Sequence, residues 1–138
     1  MMLYGLVALY AVVAPVTLQE PITFSSEERS QGEAEVRTAA EYFARVMRDP
    51  GSATFRNVFI GKRPKPTATS KVIVCGEVNG RNAFGGYVGF DTFIVSGTDV
   101  HVGTAAGLEV SRLCSTDRVF DTRDYSPELR SAFSSASK

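Results

Sequence analysis

Periodicity and turn chemistry predict an α+β domain, one main helix packed on a curved antiparallel sheet of three to five strands. Three observations carry this. Between Glu33 and Asp49 the apolar residues Val36, Ala39, Ala40, Phe43, Val46 and Met47 return every three or four positions, as on one face of an α-helix. Asn79-Gly80 separates two runs of β-branched and aromatic residues, and this dipeptide tolerates the positive φ angles of tight hairpins. In the middle third of the chain, strand-like runs outnumber helical ones.

A chain of 138 residues suits a single domain. It can bury about two thirds of its unfolded surface, so it can fold without metal. Residues 1–20 read as a signal peptide or an N-terminal membrane anchor, because no charge precedes Glu20 and the run from Leu3 to Leu18 is apolar. Residues 21–32 read as a polar linker, in which Ser25 and Glu28 have capping-box spacing and Gly32 interrupts any helix begun there. The compact domain is expected over 33–115. Within it Pro50 and Gly51 end the helix, since the residue before a proline is pushed out of the α region.

A strand is expected from about Phe55, then the loop KRPKPTATSK, whose prolines cannot donate to a ladder. Charge reversal in that loop is expected to leave folding intact. The next strand, Lys71 to Val78, puts Val72 and Val74 on one face and Ile73 and Cys75 on the other. Asn79 to Asn82 forms the hairpin connection. From Ala83 to Val95 aromatic and β-branched residues are interrupted by Gly85, Gly86 and Gly89, which read as points where the strand bends over the helix, Phe84, Tyr87, Phe90 and Phe93 flanking the contact. Ser96 to Asp99 has turn composition, and Val100 to Val102 pairs back. Residues 104–114 fit a short helix and a strand equally. Residues 116–138 read as a polar tail, with Ser126-Pro127-Glu128 starting a short helix through Phe133. Among known arrangements the cystatin-like one fits this order of elements.

Lysine and arginine total 15, as do aspartate and glutamate, so the net charge is zero and a general nucleic-acid binder is disfavoured. The charge is uneven: between Pro50 and Arg81 every charged residue except Glu77 is basic. Lys62, Arg63, Lys65, Lys71 and Arg81 therefore form a candidate binding surface, with Tyr87 and Phe90 of the glycine-aromatic strand beside it. In an oxidising compartment Cys75 and Cys114 pair as one disulfide, closing a loop worth about 4 kcal/mol in the chain-entropy account.

No set of residues has the spacing of a catalytic, metal or cofactor site. His101 is the sole histidine, and a Cys/His pair would need a free thiol. GGYVG and GTAAG lack the strand and helix context of phosphate loops. No cofactor is expected. These readings favour an exported, non-enzymatic binding module at the bacterial cell envelope, periplasmic or secreted. An inner-membrane anchored form, held only through residues 1–20, is the other placement. The partner would be an envelope protein or an anionic polymer. The alternative is a small envelope hydrolase using carboxylates near the sheet, Glu77 and Asp91.

DPGSATF followed by VCGEVNGRNAFGGYVGFDTFIV resembles a pattern in small, mostly uncharacterised exported proteins of proteobacteria and their phages, where DPxSAxF precedes CGxVNxxNxxGGYxGxxxF. Asp49, Pro50, Ser52, Ala53, Phe55, Cys75, Gly76, Val78, Asn79, Asn82, Gly85, Gly86, Tyr87, Gly89 and Phe93 carry the resemblance. It implies export and a compact α+β domain, and it brings no catalytic residue with it.

Overall fold

The computed structural model describes residues 10–15, 23–68, 70–81, 89–103, 113–115 and 120–138. Helix α1 (Ser26–Val46) is followed by a 3-10 turn (Pro50–Ser52), strands β1 (Thr54–Lys62), β2 (Val72–Asn79), β3 (Asp91–Ser96) and β4 (Asp99–Val102), and helix α2 (Ser126–Ala136). The four strands form one antiparallel sheet in the order β1-β2-β3-β4. This is the α+β class that the sequence predicts. Among the described residues no helix is long and apolar enough to cross a membrane.

The capping box at Ser25 forms: the Glu28 N–H donates to Ser25 Oγ at 3.1 Å and the Ser25 N–H to Glu28 Oε2 at 2.9 Å. Residues 26–32 are thus the first two turns of α1, not a linker, and Gly32 does not interrupt it. At Gly32 α1 meets the Ile60 side chain of β1: an added Cβ would lie 2.3 Å from Ile60 Cδ1 and 2.7 Å from Ile60 Cγ1. The glycine is a point of close approach, which offsets its poor helix propensity. At the other end α1 stops at Val46, three residues before Asp49, because Met47 already adopts extended dihedrals.

Phe55, Val58 and Ile60 all join the core under the helices, although an odd separation between Phe55 and Val58 would put them on opposite faces of a regular strand. A β-bulge resolves this. The register shifts between Arg56 and Phe59, and Asn57 takes the left-handed φ of 52°, which asparagine tolerates better than most residues. On β2, Val72, Val74 and Val78 face the same core while Ile73 and Cys75 face the opposite side with Ile94. The alternation on Lys71 to Val78 is therefore as the sequence predicts. The Phe93 ring lies over Gly76, its cross-strand partner, and contacts Phe43 of α1 with 5.2 Å between ring centroids.

The second face is closed by Leu113, Cys114 and Phe120, and the Cys75–Cys114 disulfide has a Cα–Cα separation of 5.8 Å. The C-terminal residues are not a tail. The Asp121 N–H donates to Ile60 O at 2.8 Å and the Tyr125 N–H to Val58 O at 2.7 Å, so this segment covers the outer edge of β1. The bulge's Val58 N–H is satisfied by Asp124 Oδ1 at 3.2 Å and Ser126 Oγ at 3.3 Å. α2 then buries Leu129 and Phe133 against α1 and β1. The compact unit consequently extends beyond 33–115 in both directions. Phe84, Gly85, Gly86 and Tyr87, all of residues 104–112, and most of the N-terminal segment, for which the sequence gives expectations, lie outside the described residues.

Candidate functional site

α1 ends over the far end of the sheet, leaving a cleft of about 340 Å³ between its last turn and the strand ends. Phe43, Val78 and Val102 contribute apolar floor, Tyr42, Val46 and Met47 the wall, and Arg48, Arg81 and Asp91 the charged rim. The cleft exists because the helix turns extended at Met47 and cannot cover the ends of β2, β3 and β4. Val46 is 49% exposed here, unusual for a large aliphatic side chain on the core-facing stripe of a helix. Arg48 makes no hydrogen bond or ion pair among the described residues, nor does Asp91, whereas Arg81 lies 3.9 Å from Asp49. Residues 82–88, which connect Arg81 to Gly89, are outside the described residues.

The basic set does not form one surface. Lys62 and Lys71 sit where β1 hands over to β2, and Arg81 follows the opposite end of β2, about 30 Å away at the rise of an extended strand. Lys62 Nζ meets both carboxylate oxygens of Glu28 at 3.1 Å, and Lys71 Nζ meets Glu27 Oε2 at 2.7 Å, so the acidic first turn of α1 takes up both loop cations. Arg63 turns inward, its Nη2 donating to Ser96 Oγ. Lys65 is exposed and makes no ion pair among the described residues. At the other end of the sheet, the Phe90 ring carries the Arg56 guanidinium 3.6 Å from its centroid. Tyr87 is outside the described residues.

Nor are the two candidate carboxylates together. Glu77 pairs across the sheet with Thr92 and Asp91 with Val78; directly opposed residues share a face and adjacent ones do not. Asp91 thus faces the cleft and Glu77 the opposite side. Asn57 Nδ2 donates to Glu77 Oε2 at 2.6 Å and the Arg56 guanidinium donates to both its oxygens at 3.3 Å. The Asn57 hydrogen bond, then Arg56, hold the Glu77 carboxyl below its ordinary range, which suits an ionised structural group and not a general acid. His101 is exposed two strands from Cys75, about 10 Å at ordinary strand spacing, and both cysteine sulfurs are committed to the disulfide. No cluster of metal-ligating side chains occurs among the described residues.

Glu35 is a group whose importance sequence reasoning missed. It is 6% exposed, and the Gly97 N–H donates to its Oε1 at 2.9 Å, tying α1 to the β3–β4 turn. Its Oε2 has no partner among the described residues, nor has the buried Arg63 Nε. Burial pushes the Glu35 carboxyl up to about 7 against the opposing pull of the Gly97 amide and Arg63. An acid within the stripe Gly32, Val36, Ala39, Ala40, Phe43 was the available sign.

No family model matches the chain, and neither known curated proteins nor solved structures provide a match.

Proposed function

We propose that the protein is an exported, disulfide-stabilised binding module whose cleft at the end of α1 takes a segment of a partner protein. The occupant presents an apolar side chain to the floor formed by Phe43, Val78 and Val102 and a carboxylate to Arg48. The observation that carries this reading is the pairing of an open apolar floor with an arginine that has no partner among the described residues. Most other cations of the candidate surface are held by the protein's own groups, so they have little left to offer a partner. The cleft volume lies in the range of ordinary ligand pockets, enough for one or two side chains. Export is supported by the Cys75–Cys114 bridge, since disulfides persist in oxidising compartments, and by the apolar run from Leu3 to Leu18.

Selection of a random peptide library on phage against the oxidised protein tests the cleft. Peptides that pair an acidic with an apolar residue are expected to be enriched, and Arg48→Glu should weaken them by about tenfold or more while Lys65→Glu leaves them unchanged. Enrichment that ignores Arg48→Glu and fails with Lys65→Glu would return the site to the basic loop.

A further inference from the structure

We infer that the partner segment binds as an extended strand added to the outer edge of β4; this rests on the cleft being the binding site. Of the sheet's two edges, only that of β1 is covered among the described residues. Along β1 the residues from Phe120 to Ser126 supply backbone and side-chain bonds. Along β4 no described residue does the same.

The hairpin geometry fixes which β4 groups face outward. Gly97 has a φ of 66° and Thr98 keeps a negative one, the pattern of a type II′ turn closed by the Ser96 and Asp99 pair. The pair flanking such a turn is hydrogen-bonded, and bonded and non-bonded pairs alternate. Ile94 with His101 is therefore bonded, whereas Val95 with Val100 and Phe93 with Val102 are not. The N–H and C=O groups of Val100 and Val102 consequently point away from β3. They recur about every 7 Å, a spacing that an extended backbone matches and a helix does not.

β4 leads into the cleft. Val102, its last residue, lines the cleft, and its side chain and that of Val100 lie on the helix side of the sheet. A strand laid beside β4 sends alternate side chains to that same side, so the residue beyond Val102 arrives at the apolar floor with Arg48 on the rim. The edge is only four residues long. Pairing of β4 with a second copy of itself would bury far less area than a stable dimer needs, whereas a peptide gains both ladder and cleft contacts.

The test uses the full chain, labelled with ¹⁵N, and a synthetic peptide from the selection described above. On binding, the Val100 and Val102 amides should gain protection from hydrogen exchange while the His101 amide, already in the β3 ladder, changes little. Val100→Pro removes an outward donor from an edge position where proline is tolerated, and should weaken the peptide about tenfold. If the peptide binds in an Arg48-dependent manner without protecting Val100 and Val102, strand addition is wrong and the cleft reading stands. If no Arg48-dependent peptide is obtained, both are wrong. Protection of the two amides in the free protein that rises with protein concentration would assign the edge to a second copy and overturn the inference. The exchange readout decides the matter even if the proline variant does not fold.

Discussion

Three residues set local features that the fold depends on. Glu35 retains its proton to about pH 7 in the folded protein against an ordinary value of 4.5, so unfolding between those values releases a proton. The stabilising contribution is complete below pH 4.5 and is lost as pH rises toward 7. Denaturant melts should show stability falling by about 3 kcal/mol across that window, and Glu35→Gln should flatten the fall and exceed the parent above pH 7. Gly32→Ala should destabilise by about 2 kcal/mol despite its better helix propensity, because the new methyl meets the buried Ile60 side chain. At Asn57 the sequence offers an asparagine between Arg56 and Val58 and nothing more. The bulge is legible only once Phe55, Val58 and Ile60 are found on one face.

At the scale of elements, the sequence was most informative where a local rule acts alone. The capping box at Ser25 and Glu28, the stripe of α1 and the alternation of β2 are set by neighbours a few residues apart, and the structure contains all three. The start of α1 differs from the sequence expectation because propensity places a break at Gly32, whereas contact with the Ile60 side chain decides its place. The sequence marks the start of α2 at Ser126-Pro127-Glu128, where the helix begins, but reads it as part of a polar tail. Its role comes from Tyr125, Leu129 and Phe133, which fill the core beside α1 and β1. Leu129→Ala should therefore cost about 2 to 5 kcal/mol in urea unfolding, a loss that a frayed tail would not give. The bridge between β2 and the segment at Cys114 closes a sequence separation of 39 residues. Replacing both cysteines by alanine should lower stability by about 4 kcal/mol in the entropy account, and native protein should yield no alkylatable thiol by mass spectrometry.

Across the whole molecule the uneven charge is resolved internally. The basic stretch after Pro50 folds back on the acidic start of α1, and Lys62 and Lys71 meet Glu28 and Glu27. Lys62→Glu therefore places a carboxylate beside Glu28 and should cost about 1 to 2 kcal/mol, whereas Lys65→Glu should change stability by no more than about 0.5 kcal/mol. Charge reversal in this loop should therefore leave folding intact at Lys65, whereas at Lys62 and Arg63 it removes bonds to Glu28 and Ser96 and should destabilise. By itself the sequence determined the class of fold and the faces of α1 and β2, because periodicity acts over a few residues, and the cysteine pair, because it has only two cysteines. The tight turn expected at Asn79 to Asn82 does not form: Val78 pairs with Asp91, so the connection from β2 to β3 is longer, and neither Asn79 nor Gly80 takes a positive φ. Only the tertiary structure decided that Lys62, Arg63 and Lys71 are already partnered, that Glu77 and Asp91 lie on opposite faces, and that the cleft opens beyond Val46. Each depends on strand register or on where an element ends in space, and neither quantity is encoded in any short stretch of chain.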